Sequence, residues 1–283
     1  MNDDHDERIY MRGVTAHWTI EDSEPIPSLR GLMLNPMGQA QASKVALFGG
    51  ADYAWNPARF EKVSNWEASI RSLVKDDEEL RNAMRTFAIH SESGIELKET
   101  DELKPLFDTF KSFYSASGEL PSVTGQLVTE MQKNYDACVL LRTMEHSGDS
   151  DHVLFYKETK YWIAKLQSMS NIILKSLTLL QSGENSQWTD FLVAKEEYAK
   201  IHTDPDFFVP ALEGSGTSTE KKSYEVTPSD VNMMPFADWI IGKIADKAPV
   251  LPERSRDIVI ITNVKNLNGP QISLGESSVV LGN

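Results

Sequence analysis

Trp162, Leu166, Met169, Ile173, Leu177 and Leu180 recur at steps of four and three residues, and this pattern restricts the fold of the chain more than any other. At 3.6 residues per turn the six side chains share one stripe. A helix with so long an apolar stripe gains little stability alone in water, so the spacing predicts a seam packed against other helices in a bundle. Neighbouring segments supply the partners. Trp66, Ile70, Leu73 and Val74 share one face of a helix that Ser64 and Glu67 would open as a capping box. Leu103, Phe107, Phe110 and Tyr114 mark a further helix, and Leu127, Met131, Cys138 and Leu141 the next. Residues 186–200 supply another, ending before Asp204-Pro205. A Gly/Ser/Thr-rich linker near 213–222 precedes a last helix bearing Val231, Met234, Phe236, Trp239, Ile240 and Ile244, with Pro235 early enough to be tolerated or to kink it.

The flanks read differently. Leu32, Met33 and Leu34 form a short apolar run of the buried-strand type, Asn35 suits a helix N-cap, and Pro36 suits the first helical position. Met37, Ala40, Val45, Ala46 and Phe48 are spaced to lie against a sheet, and Gly49-Gly50 would weaken the helix before Tyr53-Ala54-Trp55. Strand, turn and helix form the repeating unit of an α/β barrel or doubly wound sheet, where sites gather at the C-terminal ends of strands. Asn35 therefore has two readings, a helix cap or a ligand-binding amide. At the other end, residues 257–263, 271–273 and 278–281 read as three short strands, the start of a small β domain whose edge would need covering. The expected fold is mostly α: residues 1–60 as the last strand and helix of an α/β unit, 61–248 as a helical bundle, and 249–283 as the opening of a β domain.

Composition narrows the partners. With 283 residues and 40% hydrophobic side chains, the chain can bury a sizeable core without disulfides or metals as staples. Its 28 Lys plus Arg against 42 Asp plus Glu, a formal charge of −14, argue against nucleic acid. The single Cys138 has no internal disulfide partner, and the histidines at 5, 17, 90, 146, 152 and 202 lack metal-ligand spacing, so neither a metal nor a cofactor is implied. Gly49-Gly50 is no phosphate loop, and Ser64 is better explained as a cap than as a nucleophile. The acidic start Met1-Asn2-Asp3-Asp4-His5-Asp6-Glu7 is unlike an export signal, and no apolar stretch is long enough to span a membrane.

The blocks Leu34-Asn35-Pro36-Met37, Gln41-Ala42-Ser43-Lys44-Val45-Ala46-Leu47-Phe48, Ala51-Asp52-Tyr53-Ala54-Trp55-Asn56-Pro57 and Asn65-Trp66-Glu67 closely resemble glycoside hydrolase family 84. That family holds hyaluronidase-like enzymes and the β-N-acetylglucosaminidases that remove O-linked N-acetylglucosamine. The resemblance is specific over residues 31–67 and weaker, but in order, to about residue 248. It implies that the first block closes a (β/α)8 catalytic barrel and that a helical bundle follows. It also implies a role for Asn35 in binding hydroxyls of the N-acetylglucosamine ring; an amide offers one acceptor and two donor hydrogens, so capping and binding could share it. Asn2-Asp3 falls where the family has an Asn-Asp pair, which would make Asp3 a second sugar ligand, although the tryptophan segment that precedes that pair in the family has no counterpart after Met1.

In the family the sugar's own acetamido oxygen attacks the anomeric carbon. One aspartate polarises the acetamido group while its neighbour acts as general acid and then base, in a retaining mechanism. That pair lies far upstream of the Asn-Pro-Met block and follows an apolar strand, so Asp3-Asp4 does not match it. The resemblance thus implies part of a β-N-acetylglucosaminidase that carries some of the sugar site without the catalytic aspartates. Such a chain should be inactive alone, with an N-acetylglucosamine-containing glycan and an upstream barrel fragment as its partners. The competing reading is a non-catalytic helical-bundle module that binds a protein or a glycan.

Overall fold

The computed structural model describes residues 8–11, 31, 33–91, 103–210, 223–245, 271–274 and 277–280. The chain divides into two compact units, residues 1–246 and 247–283. Helices dominate the first: α1 (Ala40–Trp55), α2 (Lys62–Val74), α3 (Glu78–His90), α4 (Leu103–Ser117), α5 (Thr124–Arg142), α6 (Ser150–Ser182), α7 (Asn185–Thr203) and α8 (Met233–Ala245). Between α7 and α8, β1 (Phe208–Pro210) pairs antiparallel with β2 (Ser223–Glu225). In the second unit, β3 (Gln271–Leu274) pairs antiparallel with β4 (Ser277–Val280), Gln271 opposite Val280. Residues 257–263 and the linker near 213–222 are outside the described residues, apart from the strands named.

α6 organises the bundle. Its 33 residues give it a length of about 50 Å. It is opened by Asp149, whose carboxylate accepts from the Asp151 N–H, and closed by Gly183 at φ +64, whose N–H returns to the Leu179 carbonyl. Glycine suits that left-handed position because it has no Cβ to clash. Trp162, Leu166, Met169, Ile173 and Leu177 are all fully buried and Leu180 is partly so. The seam faces α5 and α7 along most of its length, with α8 and α1 packed on it as well.

Leu127, Met131, Cys138 and Leu141 of α5 are buried in the same core, and desolvation pushes the Cys138 thiol far above its usual range, so it is a packing residue. Between α5 and α6 a buried Asn134 amide donates to Ser170 Oγ at 2.9 Å. α4 and α8 meet through rings: Phe107 stacks on Phe236 at 4.3 Å, and Phe110 and Tyr114 meet Trp239 edge to face.

Three local expectations are corrected. α1 begins at Ala40, after Gln39, so Asn35 does not cap it and Pro36 is not its first residue. Of the expected strand, Leu32 lies outside the described residues, and Met33 and Leu34 are irregular, with no strand partner among the described residues. For α2 the cap is Glu61, whose carboxylate accepts from the N–H groups of Val63 and Ser64, so Ser64 lies inside the helix and Glu67 instead pairs with Arg85 at 3.1 Å. Acceptance of two adjacent orphan N–H groups by one carboxylate explains why the cap is Glu61, and the Ser64 hydroxyl, followed by the N–H groups of Ser64 and Val63, holds the Glu61 carboxyl below its ordinary range. α1 also continues through Gly49 and Gly50, and Gly50 leaves room for Leu34, which packs where a Cβ would sit. The helix α3, set by its Asp77 cap and by buried Leu80, Met84 and Phe87, is an additional member of the bundle.

Candidate functional site

Asn35 lies in the irregular stretch ahead of α1 and is exposed, whereas Met37 and Gln39 just beyond it are buried. Among the described residues its side chain makes no hydrogen bond, so both the acceptor and the donors of the amide face solvent. Asp3 is outside the described residues, and the two proposed sugar ligands are therefore not brought together by what is seen.

The ground beneath Asn35 is tied down by residues of the quoted blocks. Ser43 Oγ donates to the Met37 carbonyl at 3.2 Å, and the Tyr10 N–H points at Met37 Sδ at 3.1 Å. Trp66 Nε1 donates to the Met11 carbonyl at 2.9 Å, so the buried segment Ile9-Tyr10-Met11 is held both to the stretch ahead of α1 and to α2. Asn65, itself buried, donates to Asp52 at 2.8 Å and locks α2 to α1. Much of what the blocks do here is structural.

The N-terminus of α1 has no side-chain cap of its own. Glu158 of α6 supplies one from across the molecule: its carboxylate accepts from the Gln41 N–H at 2.7 Å and also faces the N–H groups of Ala40 and Ala42. Orphan donors and the positive end of the helix dipole are both answered by this one anion. Burial raises the Glu158 pKa, with the three N–H groups opposing that rise. Asp151, further up α6, adds bonds to Gln41 and Lys44 at 3.3 Å each.

One face of α1 is thus bound to α2 and α6 through Ala42, Val45, Ala46, Gly49 and Tyr53. Its other face presents Leu47, Phe48, Ala51, Ala54 and Trp55, with Trp55 89% exposed. A helix apolar on both sides belongs in an interior, between two layers.

A second polar constellation, with Lys165 at its buried end, lies between α6, α7, α8 and β2. Lys165, fully buried on α6, donates to the Glu225 carboxylate of β2, and His202 Nδ1 lies 3.5 Å from the same oxygen. Tyr198, whose ring lies 4.3 Å from that of His202, donates its hydroxyl to Asp238 at 3.0 Å. Burial lowers the Lys165 pKa, with Glu225 opposing, and burial together with the Lys165 charge brings His202 down to about 4. Burial and then Asp238 keep the Tyr198 hydroxyl protonated. No local sequence signal marks Glu158, Lys165 or Glu225, since each acquires its role from a partner distant in sequence. Among the described residues, no three His, Cys, Asp or Glu side chains cluster as a metal site, and no helix is long and apolar enough to cross a membrane.

Residues 1–89 match the family model NAGidase, described as beta-N-acetylglucosaminidase. The fold resembles that of a structure named CpGH84D, 23% identical, with a TM-score of 0.66 over 87% of this chain and 39% of that one. CpGH84B is 20% identical at a TM-score of 0.53, over 73% of this chain and 32% of its own. A mutant O-GlcNAc hydrolase of Thermobaculum terrenum is 16% identical at 0.52, over 76% of this chain and 42% of its own. The chain spans less than half the length of each. At these identities the structures speak to the fold, and the helical bundle is the part they share with it. Residues 1–89, which the beta-N-acetylglucosaminidase model matches, contain all the quoted blocks, and the fold of the helices is similar to that of the structures named CpGH84D and CpGH84B.

Proposed function

We propose that this chain is the structural and sugar-binding portion of a β-N-acetylglucosaminidase, acting with a (β/α)8 barrel portion that supplies the adjacent catalytic aspartates. The observation that carries the reading is the two-faced apolar helix α1. Leu47, Phe48, Ala51, Ala54 and Trp55 form a stripe suited to lie on a sheet, and Asn35 precedes that helix with its amide uncommitted. In a barrel the stretch before such a helix lies at the face where ligands bind. Asn35 then donates to, and accepts from, the ring hydroxyls of N-acetylglucosamine, and Asp3 accepts from its outer hydroxyls. The acetamido oxygen of the substrate is the nucleophile, so the orienting aspartate and the acid/base aspartate both belong to the barrel portion. Residues 249–283 are assigned as the beginning of a β domain, and 61–248 as the bundle that braces the barrel.

The test compares the purified 283-residue chain with the same chain fused to, or mixed with, an upstream barrel segment, using release of an aryl leaving group from an N-acetyl-β-glucosaminide. Turnover is expected only with the barrel segment, because losing the acid/base alone forfeits about 10²–10⁴-fold in rate. Turnover by the isolated chain that survives Asp3→Asn and Asp4→Asn would overturn the proposal.

A further inference from the structure

Where the end of α5, the first half of α6 and the end of α7 meet, the short turn Pro205–Phe207 closes a cleft of about 440 Å³. Its volume falls in the range of small-ligand sites. Three cations line it, Arg142, Lys160 and Lys200, on a chain whose net charge is −14. Among the described residues none of the three is in an ion pair. Arg142 bonds only the neutral Gln167, at 3.3 Å, and Lys160 Nζ is held 4.9 Å over the Tyr161 ring. Two carboxylates also line the cleft, Glu197 and Asp206. Neither is within ion-pair distance of these cations, and Glu197 accepts from Asn171 at 3.4 Å.

We infer that this cleft binds a monoanionic, carboxylate-bearing sugar ring of the hexuronate type. Three cations against two carboxylates leave an excess of one positive charge, which matches a carboxylate and disfavours a dianionic phosphate beside Glu197 and Asp206. Tyr156, Tyr161 and Phe207 supply partly buried ring faces for the apolar C–H face of a pyranose. The two carboxylates and the Gln167 amide provide acceptors and donors for hydroxyls, which an acidic peptide side chain would leave unanswered. The ring therefore lies against the tyrosines, with its carboxylate toward Arg142, Lys160 and Lys200 and its hydroxyls toward Glu197 and Asp206. The site is separate from Asn35 and does not depend on the hydrolase reading.

The test is a titration of the full 283-residue chain, followed by amide NMR shifts, with methyl β-glucuronide and its neutral twin methyl β-glucoside. Saturable shifts confined to the residues around the cleft are expected for the glucuronide, with binding at least about tenfold weaker for the glucoside, since a charge-assisted bond is lost. Lys200→Gln and Arg142→Gln, both exposed side chains, should each weaken the glucuronide about tenfold with unchanged circular dichroism. Asn35→Ala should leave this titration unaltered whatever it does to N-acetylglucosamine binding. Equal affinity for the two glycosides, absence of saturable shifts, or shifts centred elsewhere would overturn the inference. Tighter binding of tetraglutamate or inorganic phosphate than of the glucuronide would overturn it too.

Discussion

Replacing Glu225 and Lys165 singly and together should give unequal results, because only one of the two charges is sealed from water. The Lys165 ammonium is fully buried, whereas the Glu225 side chain is 41% exposed. Glu225→Ala strands a buried cation beside His202, which fits the class of broken buried pairs that cost about 3–5 kcal/mol. Lys165→Met removes the buried charge, keeps most of the aliphatic volume, and leaves a carboxylate that water can reach, so its cost should stay within about 1 kcal/mol. The double variant should then resemble Lys165→Met alone, a departure from additivity of about 2 kcal/mol or more.

Urea unfolding monitored by tryptophan fluorescence measures all four proteins. The pH dependence supplies a second readout. Lys165 is shifted down in the folded state, and removing Glu225 removes the contributions that raise it, so the folded state of Glu225→Ala releases this proton at lower pH than the unfolded chain. Stability of that variant should rise as pH increases through the lowered folded pKa, up to the ordinary lysine range. His202 adds an acid limb. Its folded pKa of about 4, against 6.5, means that the parent loses stability as pH falls from about 6.5 toward 4, and His202→Gln should flatten this limb. If Lys165→Met costs as much as Glu225→Ala, the buried ammonium is a net stabiliser and the reasoning fails.

Glu158→Ala should cost about 0.5–2 kcal/mol by uncapping α1 from a distance, and hydrogen exchange should quicken selectively at Ala40, Gln41 and Ala42; uniform exchange would contradict it. Ile173→Ala, at a fully buried point of the α6 seam, should cost about 2–5 kcal/mol in the same urea assay, and a loss under about 1 kcal/mol would mean the core closes around the gap. Asn35→Ala should leave the melting temperature unchanged, because the amide is exposed and caps nothing. In a complex reconstituted with the barrel portion it should weaken an N-acetylglucosamine-like inhibitor by about 0.5–1.5 kcal/mol, and a lowered melting temperature with equal affinity would return it to a structural role.

What the sequence by itself determined was the helical architecture around α6. Trp162 to Leu177, Leu103 to Tyr114 and Leu127 to Leu141 are buried where their spacing says, because helical periodicity is local and sets which side chains share a face. The resemblance in residues 31–67 was equally legible, since it rests on contiguous residue blocks. The place where α1 starts was not. Asn35-Pro36 has the local chemistry of a helix opening, yet the first-turn N–H groups are answered by Glu158, a residue of another helix, and the helix begins at Ala40 instead.

Tertiary structure alone decided that Asn35 is an uncommitted amide, that Asp52 and Asn65 are bonded to each other, and that Lys165 finds its counter-ion in β2. It also decided that Arg142, Lys160, Lys200 and three aromatic rings share a cleft. The physical reason is the same in each case. A hydrogen bond or ion pair between elements depends on which turn of one helix faces which turn of another, and that register is set by the packing of the whole core, whereas a helix face is set by its own few turns.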